Sequence, residues 1–181
     1  MICSRILIAL RGEIVVYIND KEYKKIVKDI LRNSNFKKLY YIEHHGISRW
    51  EHLIKISYYS YKIAKKLKFD YVSVARGALI HDFYLDGDER SIKRKFLDTF
   101  THPKKALKTS LDNFTLNKIE QNIIISHMFP IYLSIPKYKE SLLVNIVDKV
   151  IGSRELMREH RYKLNYYLNY LLVFIMNFRI K

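Results

Sequence analysis

Six residues able to hold a metal ion are strung through the middle of the chain: His52, the adjacent pair His81-Asp82, His102, His127 and Asp148. Imidazole nitrogens and carboxylate oxygens are the donors that divalent cations accept, and burying either is costly unless it is paired or ligated. Taken singly, each has a plain structural role open to it, as a hydrogen-bonded core histidine or a solvated acid. Taken together, they fall on five successive helical segments, each near the end or the inward face of its element. One bundle can therefore converge all six on a single point. A divalent cation would satisfy such a set together.

The elements that must position these residues are helices. Only 5 glycines and 3 prolines interrupt 181 residues, and apolar residues recur at helical spacing. Behind Asp20 as a cap, Tyr23, Ile26, Val27 and Ile30 predict a helix to Leu31. Leu53, Ile56, Ser60, Ile63 and Leu67 mark a second from Arg49 to Leu67, with His52 bordering its buried stripe. A third, Tyr71 to His81, carries the small Ala75 and Ala78 and ends at the His-Asp pair. A short piece from Ser91 to Phe100 precedes Pro103, which suits the first turn of a separate helix and puts His102 at its N-terminus. Further helices run from Leu116 to Met128, with His127, and from Glu140 to Leu156, where Asp148 sits beside Leu143, Val144, Val147 and Ile151. The β-branched stretch Ile14 to Ile18 reads as a strand with no evident partner. The expected fold is all-α, a compact helical bundle. Residues 1–20 form an N-terminal extension and 21–157 the domain, and 158–181 form an aromatic helix packed on the domain or at a dimer interface.

Composition sets the wider bounds. A single cysteine, Cys3, allows no intramolecular disulfide, so the expected location is cytoplasmic. The apolar run in MICSRILIAL is broken by Arg5 and makes a poor signal peptide, and Tyr166 to Phe178 is too short to span a bilayer. The formal charge is +15, which favours an anionic partner. The lysines, however, are scattered in pairs such as Lys24-Lys25, Lys37-Lys38, Lys65-Lys66 and Lys104-Lys105, the pattern of solvated helix faces rather than of a nucleic-acid surface.

The order His52, then His81-Asp82 directly after the stretch ARGALI, then Asp148 in VDKV resembles the H…HD…D signature of the HD superfamily. The likeness spans about Tyr41 to Ile151. It implies a helical metal-dependent phosphohydrolase. Two further histidines between the HD pair and the last aspartate mark the dinuclear branch, and His102 and His127 stand in those slots. The resemblance then assigns His52, His81 and Asp148 to one ion, His102 and His127 to the other, and Asp82 as the bridge and the residue most closely tied to catalysis. The cations it implies are two divalent metals, from among Fe, Mn, Co, Ni, Zn and Mg. If His102 merely caps a helix and His127 packs in the core, one ion remains.

The stretch Ser48-Arg49-Trp50-Glu51-His52 is similar to the SRFEH segment of HD-type deoxynucleoside triphosphate hydrolases, which implies that Arg49 binds substrate phosphate and stabilises charge in the transition state. His44 and His45 are expected near the metals or the phosphate, Asp86 is a candidate general acid or water-orienting carboxylate, and Arg76 and Lys149 are weaker candidates beside the ligands. The expected partner is a small phosphorylated molecule, a nucleotide or dinucleoside polyphosphate, and the glycine-tyrosine-proline motif of cyclic-dinucleotide phosphodiesterases is absent. The same ligands serve two alternatives: a di-iron oxygenase of the same superfamily, or a non-enzymatic nucleotide-binding regulatory module.

Overall fold

Side-chain caps set where the helices begin. Asp20 accepts from the Tyr23 amide at 3.0 Å and starts helix α1, Lys21–Ile26. Asn33 accepts from the Asn35 and Phe36 amides and starts α3, Ser34–Lys37, after the short α2, Lys28–Arg32. Ser48 and Glu51 cap each other's backbone at the start of α4, Arg49–Lys66, and Asn117 and Glu120 do the same for α7, Lys118–Ser126. Asp70 caps α5, Tyr71–Ile80. The two remaining helices are α6, Ile92–Asn113, and α8, Lys139–Phe178. The computed structural model describes the backbone of residues 6–8, 16–44, 47–85 and 92–178, and the side chains of residues 18–42, 47–85 and 100–169.

The architecture is the expected all-α bundle. Helix α4 packs against α5 and α8, α5 against α7, and α7 against α6 and α8. Two apolar clusters hold these layers together. One joins Tyr23, Val27, Ile30, Phe36, Leu53, Tyr61, Leu79, Phe83, Ala106 and Ile124, and the other joins Ile56, Ala64, Val74, Ala78, Ile123, Val144 and Val147. Gly77 lets α5 and α7 close together, because a Cβ there would lie 3.2 Å from the Glu120 Cα and 2.8 Å from the Ile123 Cδ1.

Several boundaries differ from the expectation, each for a tertiary reason. The strand in the N-terminal extension has a partner: Val16–Ile18 (β2) pairs antiparallel with Ile6–Ile8 (β1), and Ile18 is buried in the first apolar cluster. A two-stranded turn, Glu43–His44 (β3) against Ile47–Ser48 (β4), leads into α4. The helix expected after Asp20 breaks at Val27. In α4 the buried stripe runs through Leu53, Ile56, Ser57, Ser60, Tyr61 and Ala64, leaving Ile63 and Leu67 exposed. Pro103 does not begin a helix. It lies inside α6, because His102, Pro103, Ala106 and Ser110 form one buried face that continues across it, and this packing outweighs the one backbone hydrogen bond that proline forgoes.

The last helix does not end near Leu156. It continues for 40 residues in all, and residues 161–169 are exposed, Tyr162, Leu164, Tyr166, Tyr167 and Leu168 among them. Among the described residues, no helix is long and apolar enough to cross a membrane.

Candidate metal centre

Five helices each bring one part of a single buried cluster. His52 lies in the first turn of α4 on its inward face and is 2% exposed. His81 caps the C-terminus of α5, with Asp82 next in the chain. His102 comes from the middle of α6, His127 closes α7, and Asp148 lies on the inner side of α8. The Asp148 Oδ1 stands 3.4 Å from His52 Nε2 and 3.6 Å from His81 Nε2. The Asp82 Oδ1 stands 3.4 Å from both His102 Nε2 and His127 Nε2, and these two nitrogens are 3.0 Å apart. The His81 and His127 rings adjoin, with centroids 4.8 Å apart, so the two sets form one continuous cluster.

The donor set fits metal ions. Donor atoms of His52, His81 and Asp148 lie within 4.8 Å of one another, and so do those of His81, Asp82 and His127. Two of the buried atoms, His81 Nε2 and Asp82 Oδ1, have no hydrogen-bond partner among the described residues, although both point into the cluster. A buried nitrogen lone pair and a buried carboxylate oxygen left unsatisfied are costly, and a cation between them removes that cost. The structure brings all six sequence-predicted residues together, Asp148 beside His52 and His81, and Asp82 beside His102 and His127.

Electrostatics favour a cation at this point. Burial pushes the Asp82 carboxyl up, but His102, His127 and His81 around it hold it well below the ordinary carboxylate range. Asp148 is likewise lowered, against its burial, by the facing imidazoles of His52 and His81. Burial disfavours the charged form of His52, yet Asp148 on one side and Glu155 on the other raise it to about 9. Burial also opposes charge on His127, and Asp82 raises it. The protein thus surrounds its histidines with enough negative charge to keep positive charge among them.

The far nitrogens of the rings show how the ligand atoms are aimed. His81 Nδ1 donates to the Ala78 carbonyl at 2.8 Å and His127 Nδ1 to the Ile124 carbonyl at 2.7 Å, which leaves Nε2 of each as the donor towards the cluster. His52 Nδ1 instead meets a carboxylate, Glu155 Oε2, at 2.7 Å, and Lys55 Nζ donates to the other oxygen at 3.2 Å. From α8, Asn145 Nδ2 lies 2.6 to 3.2 Å from the carbonyls of Ser126, His127 and Phe129, and Lys149 Nζ donates to the His127 carbonyl. Glu155 and Asn145 were missed in the sequence. The signal for Glu155 was its place two turns beyond Asp148 on one helix face.

Arg49 is buried, at 2% exposure. Its Nη1 donates to the Tyr84 carbonyl at 3.0 Å, its guanidinium carbon lies 4.0 Å over the Tyr84 ring, and its Nε has no partner among the described residues. The Tyr84 ring in turn faces His102, with centroids 5.9 Å apart, which puts Arg49 one side chain away from the cluster. Arg76 plays no part there, since it is tied to Asp29 and Glu120 on the outside of α5. Lys149 grips the end of α7 rather than an open site. His45 and Asp86 lie outside the described residues, as does the side chain of His44 in β3. The chain matches no family model, and neither a curated protein nor a solved structure resembles it significantly.

Proposed function

We propose that the protein is a metal-dependent phosphohydrolase of the HD type, acting in the cytoplasm on a phosphate ester of a nucleotide, dinucleoside polyphosphate or related small phosphorylated substrate. The observation that carries the reading is the convergence of six donors from five helices, all but the partly exposed Asp148 buried, in the order His52, His81-Asp82, His102, His127, Asp148, with His81 Nε2 and Asp82 Oδ1 lacking a hydrogen-bond partner among the described residues. His52, His81 and Asp148 would hold one ion and His102 and His127 the other, with Asp82 between them. Bound there, two divalent cations would supply Lewis acidity to a phosphoryl oxygen and acidify water near neutral pH. Around them, the chain's own residues keep bulk water out and aim the Nε2 atoms inward. Arg49, held by Tyr84 with its Nε free of partners among the described residues, is the group we assign to the charge of the transferred phosphoryl. The exposed apolar face of α8 beyond Arg161 is the surface we assign to self-association as a homodimer.

The test is metal analysis coupled to a panel of nucleotides, dinucleoside polyphosphates and generic phosphate esters. The expected result is two ions per chain with hydrolysis of at least one class. Asp82→Ala should lose both metal and turnover, and Arg49→Ala should keep its metal while turnover falls. Turnover that survives the loss of Asp82 refutes the reading. Two iron ions with O₂ consumption and no hydrolysis would assign the site to oxygen chemistry instead.

A further inference from the structure

Three of the ring Nδ1 atoms at the cluster can be compared directly, and one is set apart. His81 and His127 donate to neutral backbone carbonyls one turn back on their own helices. His52 faces a full carboxylate from another helix, Glu155 Oε2 at 2.7 Å, across a sequence separation of 103 residues. Glu155 and His52 are both nearly sealed, with side chains 6% and 2% exposed. The second carboxylate oxygen is held by Lys55, on the same helix as His52 and three residues on, at 3.2 Å. A buried carboxylate pinned from both sides in this way serves no packing need that an apolar residue would not serve better.

We propose that Glu155 is the positioning residue for His52, and that its charge makes the position formed by His52, His81 and Asp148 the tighter of the two cation positions. The inference rests on the metal-binding reading of the cluster. Physically, an anion on the Nδ1–H side fixes the tautomer and ring plane and increases the electron donation available at Nε2, an effect a backbone carbonyl delivers only weakly. Because Asp148 and Glu155 are two turns apart on α8 and reach opposite nitrogens of the same ring, the helix clamps His52 between a donor of the cluster and its outer partner. Lys55 compensates the outer carboxylate, so removing Lys55 leaves Glu155 a more strongly charged acceptor.

These roles predict that only one of two neighbouring substitutions weakens the site. The experiment is chelator competition with Zn²⁺ on the full chain, with urea unfolding of the metal-free protein in parallel. Glu155→Gln keeps the side-chain size and is expected to weaken the tighter Zn²⁺ by roughly 10- to 100-fold. Lys55→Met is expected to leave that affinity unchanged or to raise it. In a His52→Ala background, Glu155→Gln should have no further effect on affinity, whereas in a His102→Ala background its effect should persist in full. If Lys55→Met weakens Zn²⁺ as much as Glu155→Gln does, or if the Glu155→Gln effect persists without His52, Glu155 acts through packing and the inference is overturned. If Glu155→Gln fails to fold, the sign of the Lys55→Met effect still decides. Failure of the unmodified chain to bind Zn²⁺ at all would instead refute the underlying reading of the site.

Discussion

Asn145 offers the sharpest test of how the bundle holds its second pair of histidines. It is 5% exposed on α8, and its Nδ2 lies 3.2 Å from the Ser126 carbonyl, 2.6 Å from that of His127 and 2.9 Å from that of Phe129. An amide has two N–H groups, so two good bonds form and the third is shared. In Asn145→Ala, the His127 carbonyl keeps Lys149 at 3.1 Å and the Ser126 carbonyl keeps the Phe129 amide at 3.0 Å, which leaves chiefly the Phe129 carbonyl without a donor. Two lost bonds at about 1 kcal/mol each and one orphaned carbonyl at about 1 kcal/mol, less about 0.6 kcal/mol gained in helix propensity, give a net loss of about 2 kcal/mol. Urea unfolding of the metal-free protein should show this as a lower midpoint with an unchanged slope. Asn145→Leu keeps the branched shape without the donors, and it should lose nearly as much as Ala. If Leu restores wild-type stability, Asn145 fills space and the carbonyl-capping argument is wrong. Since His127 closes α7 at this point, both variants should also bind Zn²⁺ more weakly in proportion to the disorder introduced there.

Gly77→Ala gains helix propensity of about 1 kcal/mol but puts a Cβ against the backbone of Glu120, 3.2 Å away, so a net destabilisation of about 1 kcal/mol is expected by thermal unfolding. Gly77→Val should cost several times more and lower metal content, since α5 and α7 end in His81 and His127. Metal-free protein should show a stability maximum in mildly acidic solution. The raised His52 contributes stability that is complete below its ordinary value of 6.5 and is lost as pH rises through about 9. The lowered Asp82, Asp148 and Glu155 contribute stability that is present above the ordinary carboxylate range and is lost as pH falls through their depressed values. Metal-loaded protein should keep the acid limb and lose the alkaline one, because bound cations replace the proton on His52; an alkaline limb that persists with metal would contradict this. Ending the chain after Arg161 removes only side chains that are exposed through residue 169, so the bundle should keep its unfolding midpoint and metal content while self-association, read by light scattering, is lost.

What was legible in one dimension was whatever sits at the end of a helix or repeats along its face. The cap Asp20, the His81-Asp82 pair at the end of α5 and the Asp148 position on an apolar stripe all carry local signals, while the sorting of the six residues into two sets came from the resemblance to the HD signature. Pro103 misled for the same reason that these succeeded: the rule for proline is local, while the burial of His102, Pro103, Ala106 and Ser110 on one face is a tertiary gain that overrides it. The partner of Val16–Ile18 was hidden because Ile6–Ile8 reads only as a short apolar run, with no turn signature tying the two together. Glu155 and Asn145 belong to a different class. Each acts on a residue contributed by another helix, across 103 and 18 positions respectively, and only the two-turn spacing of Glu155 from Asp148 hinted at either. Arg49 falls between the classes: its turn before His52 was readable, but its burial is set by Tyr84, two residues beyond the HD pair. Helical periodicity therefore locates the candidate donors of a bundle more readily than the outer contacts that aim them. In this chain several of those outer contacts come from α8, whose Asn145, Lys149 and Glu155 touch the ends of α4 and α7.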